Sequence, residues 1–147
     1  MSYSTGEALL LTRVQACTGF LSSNTSRGNW RILNEGKAAV YAILRPGPDQ
    51  SDLEWISPNV YRLRWRCVIE VWQRYTVDGT TATDLYANVA AMIAILNYPR
   101  LGGALVDSTI VSIGALERRW MVEGGPQFLS QDIAVSWDEE TKVTFSE

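Results

Sequence analysis

The chain has 147 residues, 46% hydrophobic and 20% charged, with a formal net charge of −3, which fits one soluble α+β-sized domain spanning 1–147. Net acidity argues against a protein that coats nucleic acid nonspecifically. The absence of histidine removes Ser-His and Cys-His nucleophile pairs and the commonest zinc ligand.

Ser4-Thr5-Gly6-Glu7 has the spacing of a capping box and predicts a helix start. Leu10, Val14, Cys17 and Leu21 continue it as an apolar stripe, and Gly19 with the run Ser22 to Ser26 marks its end. The stretch from there to Gly36 is polar apart from Trp30, Ile32 and Leu33, and reads as a mobile loop with one anchored apolar patch. Lys37 to Leu44 is a short apolar strand closed by Arg45-Pro46-Gly47-Pro48, after which Asp49 to Glu54 reads as acidic and flexible.

Asn59 to Thr76 is the longest patterned stretch. Its odd positions carry Tyr61, Leu63, Trp65, Cys67, Ile69, Val71 and Tyr75, while its even positions carry Arg62, Arg64, Arg66, Glu70 and Arg74, interrupted by Val68 and Trp72. Successive strand side chains point to opposite sides, so this is one very long strand with a core face and a guanidinium face. The Lys37-to-Leu44 strand is its expected antiparallel neighbour.

Asp78-Gly79 supplies a turn, and Thr81-Ala82-Thr83-Asp84 is a second possible capping box. A helix from about Thr83 to Asn97 follows, with Leu85, Val89, Met92, Ile93 and Leu96 as its stripe and Tyr98-Pro99 as its stop. Beyond Gly102-Gly103 come strands over Ser108 to Ile113, Ala115 to Val122 and Leu129 to Trp137. Gly124-Gly125-Pro126 divides the last two, and a bulge at Gly114 is the alternative that fuses the first two into one bent strand. The acidic Asp138 to Lys142 precedes a tail, Val143 to Glu147, that frays or docks on a neighbour. The order implies an α+β fold, a mainly antiparallel sheet with one very long strand packed against two helices.

No Gly-x-Gly-x-x-Gly or Gly-x4-Gly-Lys spacing is present. The carboxylate groups Asp49, Asp52, Glu54 and Asp138, Glu139, Glu140 read as solvated acidic surface. No enzyme activity, cofactor or metal is expected. Cys17 and Cys67 fall on apolar faces and read as buried reduced thiols. The run Leu85 to Leu96 is short of the roughly 20 residues that span a bilayer. The amino end, with Glu7 and no basic flank, does not read as a signal peptide, so no membrane partner and a cytosolic protein are expected.

Eleven of the 13 basic residues are Arg, the residue suited to bidentate pairing at interfaces. Arg62, Arg64, Arg66, Glu70, Trp72 and Arg74 are the candidate interface or lumen-facing residues, with Trp72 as an anchor. The bland reading is the solvated side of a half-covered sheet; the sharper one is a surface met by phosphates or by another subunit's carboxylates. Asp132, Asp138, Glu139 and Glu140 are the candidate acidic counter-surface, which would suit head-to-tail pairing of identical subunits. Arg64→Glu is then expected to spare folding and impair assembly.

The capped first helix, the Lys37-to-Leu44 strand ending in Arg45-Pro46-Gly47-Pro48, the Tyr61-to-Tyr75 strand, the alanine-rich helix and the closing strands together resemble the tail terminator (tail completion) proteins of long-tailed bacterial viruses. The likeness is one of layout over most of the chain, shared with related neck and connector proteins. It implies a non-enzymatic virion protein assembled in the host cytoplasm. Such a subunit forms a homo-oligomeric, hexameric ring, caps the tail tube protein, faces the head-tail connector protein and meets DNA passing through its lumen. A connector or tail-tube-like protein and a nucleic-acid-binding sheet stand as alternatives.

Overall fold

A computed structural model of the chain describes residues 3–76, 79–97, 106–120 and 125–142. The fold is α+β: helix α1 (Tyr3–Gln15), strand β1 (Thr25–Arg27), short helix α2 (Ile32–Glu35), strands β2 (Val40–Ser57) and β3 (Val60–Arg74), helix α3 (Thr81–Asn97), and strands β4 (Val106–Ile113), β5 (Glu117–Trp120) and β6 (Gln127–Lys142). Among the described residues these form one six-stranded sheet in the order β1-β2-β3-β6-β4, with β5 also paired to β6. Only β1 and β2 run parallel.

Proline does not end the first strand. The sequence places a turn at Arg45 to Pro48 and a flexible segment after it, but β2 runs on to Ser57 and turns through Pro58-Asn59 directly into β3. Two features make the prolines tolerable. Strand β1 pairs with β2 only from Ala42 to Leu44, so among the described residues the outer edge beyond has no strand partner. The pairing with β3 also passes through an irregularity between Pro46 and Ser51. A bulged edge strand is where a missing backbone N–H does least harm.

From Trp65 to Val71 the odd-numbered face of β3 is core, as its period of two implied, whereas Tyr61 and Leu63 are only half-buried and Tyr75, just past the strand, is exposed. Cys67, Ile69 and Val71 join Ala42 and Leu44 of β2 and Ile133, Val135 and Trp137 of β6 beneath Leu10 and Val14 of α1 and Leu85, Val89, Met92 and Leu96 of α3. Trp65 packs against this cluster, and Tyr3 stacks on Trp137 while meeting Trp65 edge-on. Cys17 and Cys67 are buried free thiols; burial raises the pKa of both, Cys67 to about 12.

Helix α1 is shorter than its stripe suggests. After Gln15 the chain takes tighter turns, with Cys17 N–H donating to the Val14 carbonyl and Phe20 N–H to that of Cys17, and Gly19 sits at φ 93°. The faster rotation of such turns brings Phe20 into the core and leaves Leu21 64% exposed. The expected capping box is replaced by a clamp from β1. Arg27 Nε lies 2.7 Å from Glu7, and its Nη2 donates to the carbonyl and hydroxyl of Ser4.

The segment read as a loop contains β1 and α2. Asn24 organises its entry, accepting from Leu21 N–H at 2.6 Å and donating to the Gly19 carbonyl at 2.8 Å. The apolar patch is anchored as expected: Leu33 is buried with Tyr41, Ile43, Trp72 and Phe128, and Trp30 and Ile32 pack on them. This is a second, smaller core on the opposite sheet face.

At the start of α3, Thr80 Oγ1 donates to Asp84, while Thr81 Oγ1 accepts from Thr76 N–H and fastens the helix to the end of β3. Strands β4 and β5 both lie along the same side of β6, and Gly114 N–H donates to the Asp132 carbonyl at 2.8 Å. They therefore act as one bent edge strand broken at Gly114. The expected turn at Asp78, the stop at Tyr98-Pro99, the glycines 102, 103 and 124, residues 121–122 and the tail 143–147 lie outside the described residues.

Candidate assembly interface

Beyond Trp65 the sheet continues as an arm made of β2 from Ser51, β3 back to Val60, and the end of β6. Backbone register fixes what meets what on its two faces. On one face, Arg64 has Asp52 opposite it on β2 and Asp138 opposite it on β6; Arg62 likewise stands between Glu54 and Glu140. Each of these arginine positions is thus the middle of an acid–arginine–acid row, and opposite charges directly across a pair of strands stabilise it.

The β6 side of this arrangement shows the contacts. Arg64 Nε and Nη2 reach the two oxygens of Asp138 at 2.9 and 3.3 Å, and Arg62 Nε lies 3.9 Å from the same carboxylate. Asp138 is only 2% exposed, so the guanidiniums lie over it. Glu54, Arg62, Arg64, Arg66 and Asp138 line a cleft of about 380 Å³.

This corrects the expectation of a distant acidic counter-surface. Asp138 belongs to the strand next to the arginines, in the same chain. Glu140 shares its register face by position, although its side chain lies outside the described residues. Glu139 is opposite Leu63, on the other face. Asp132 stands beside Glu70 in register, far along β6 from Arg64.

The remaining candidates are internal. Glu70, 3% exposed, accepts indole N–H bonds from Trp30 and Trp72, each at 3.0 Å, and Arg45 Nε at 2.5 Å. The second nitrogen of Arg45 reaches Asp132 at 3.3 Å, and Arg119 closes the group 4.0 Å from Glu70. Trp72 is therefore no interface anchor: it is 1% exposed, inside the second core. Arg74 donates to the carbonyls of Ala38 and Gly36 and lies over the Phe128 ring, holding the end of α2. Arg45, Arg119 and Trp30 are site members that the sequence reading did not pick. The only hint to them was the solitary acid Glu70 on an otherwise basic face.

The other arm face carries large apolar side chains on β2 and β3, with Glu139 beside them on β6. Leu53 lies opposite Leu63 and Trp55 opposite Tyr61; Trp55 and Tyr61 meet edge to face at 5.3 Å. Leu53 and Trp55 are 57% and 55% exposed, and Ile56 at the tip is also exposed. Leu53, Trp55 and Ile56 are thus exposed large apolar side chains gathered near one end of the sheet, the kind of patch that suits a contact with another molecule. A scan against protein-family models and a search of curated proteins returned no match for this chain.

Proposed function

We propose that this protein is a structural assembly subunit of a long-tailed bacterial virus, a tail terminator that forms a homo-oligomeric ring, caps the tail tube and joins it to the head connector. The observation that carries the reading is the arm: strands that run on beyond Trp65, with Arg62 and Arg64 of one face standing opposite acids on both flanking strands and Leu53 and Trp55 of the other face exposed. An arm of this kind adds nothing to its own core, but it offers a neighbour a preformed surface with little ordering cost.

The arrangement speaks against the nucleic-acid-binding sheet. Arg62 and Arg64 each have acids opposite on both flanking strands, and Trp72, the aromatic that base stacking would need among them, is buried. Contact with DNA in a lumen then reduces to passage rather than binding.

Electron microscopy of the purified protein, alone and after incubation with tail tubes, tests the proposal. Rings in the first sample and capped tube ends in the second are expected. Single-subunit particles together with bare tube ends would overturn it.

A further inference from the structure

We infer that the outer half of β2, from Ser51 to Ser57, is a strap held to the arm by charge rather than by burial, and that it opens as a unit while the rest of the sheet stays folded. The two halves of β2 are held differently. Ala42, Ile43 and Leu44 are fully buried and pair with β1 on one side and β3 on the other. Arg45 then pins the inner half, its guanidinium reaching Glu70 of β3 at 2.5 Å and Asp132 of β6 at 3.3 Å.

Between Pro46 and Ser51 the register with β3 is interrupted, and Pro46 and Pro48 bring no backbone N–H to a ladder. Beyond that point β2 pairs with β3 alone among the described residues, and Leu53, Glu54, Trp55 and Ile56 are all exposed. Lifting the segment therefore removes no residue from either core. Nor does it break β3, whose ladder with β6 runs from Val60 to Arg74 without a register shift. The interrupted stretch and the Pro58-Asn59 turn are the two hinges.

What opposes opening is charge segregated by strand. Asp49 to Ser57 carries three acids and no base, whereas Val60 to Arg66 carries three arginines and no acid. Asp52 stands opposite Arg64 and Glu54 opposite Arg62, and Glu54 lines the cleft with Arg62, Arg64 and Arg66. Each such pair stabilises a ladder only modestly, which keeps the closure reversible. Opening also changes what the arm presents. On the arginine face of the paired segments Val60–Arg66 and Ser136–Lys142, Arg62, Arg64, Arg66 and Lys142 stand with Asp138 and Glu140, two positive charges in excess. Asp52 and Glu54 bring that sum to zero when the strap is closed. The strap thus masks a basic face.

Amide hydrogen exchange, read residue by residue with fragmentation mass spectrometry on the full chain diluted to the mass of one chain, tests this. Successive residues of a middle antiparallel strand bond alternately to its two neighbours. Every second amide from Tyr61 to Trp65 should therefore exchange with the strap, on the order of a hundredfold faster than Ala42 to Leu44, while the alternate amides bonded to β6 stay protected. Asp52→Asn combined with Glu54→Gln should speed strap exchange roughly two- to fivefold for each acid removed, with Ala42 to Leu44 unchanged. Amides from Tyr61 to Trp65 that all exchange at one rate would overturn the opening. Strap exchange that is unchanged in the acid variant, or that rises equally in Ala42 to Leu44, would overturn charge as what holds the strap.

Discussion

Arg64 holds Asp138 through both carboxylate oxygens, at 2.9 and 3.3 Å across adjacent strands of one chain. Arg64→Glu, expected from the sequence to spare folding, therefore sets a carboxylate beside a nearly buried one. With Arg64 itself 38% exposed, the loss should be about 1–3 kcal/mol after allowing for solvent screening. Urea denaturation measures it, and adding Asp138→Arg should recover part of the loss through the reversed pair.

Glu70 is the single acceptor for two indole N–H groups and for Arg45. Glu70→Ala strands these donors in a mostly buried site, so a loss of roughly 3–5 kcal/mol is expected. Because Trp30 and Trp72 both report on the site, the emission spectrum of the folded variant should also shift. Unchanged spectrum and stability would mean that this network does not hold α2 to the sheet.

Gly6 faces the indole of Trp137, and a Cβ built there would fall inside van der Waals contact with the ring. Helix α1 can lie on the sheet only because that atom is missing. Gly6→Ala should lower stability by roughly 1–3 kcal/mol by overpacking, despite the better helix propensity of Ala. A thermal melt decides the sign.

Burial, and then the neighbouring charge of Glu70, raises the pKa of Asp132 above its ordinary 3.8, against the opposing pull of Arg119 and Arg45. The folded state therefore holds the proton more tightly than the unfolded state. Its contribution to stability is full below 3.8 and is lost as pH rises through the raised folded value. Asp132→Asn, fixed in a neutral form, should gain on the wild type over that window. Melting temperatures that stay a constant distance apart across it would contradict the assignment.

Much of this fold is legible in the sequence because period two and period three-to-four patterns survive in the core. The positions Cys67, Ile69 and Val71 of β3 and the α3 stripe are examples. The arm is less so, for a local reason. Ser51-Asp52-Leu53-Glu54-Trp55 alternates like a strand, but Pro46 and Pro48 upstream read as a stop, and whether a proline is tolerable depends on which neighbouring edge is occupied. The arginine face shows a second limit. Alternation reveals that Arg62, Arg64 and Arg66 share a side, whereas the strand set beside them is fixed by pairing across some 74 residues of chain. Without that register, Asp138 reads as a partner on another copy. Glu70 was visible as an exception, but the Arg45, Arg119 and Trp30 around it come from three other segments.

The central claim is that the exposed arm exists to assemble copies of this chain. Multi-angle light scattering of the purified protein over a range of concentrations tests it most directly. The account predicts a mass several times that of one chain, reduced toward a single chain by Trp55→Ser with folding intact. A wild-type mass of one chain at every concentration would contradict it.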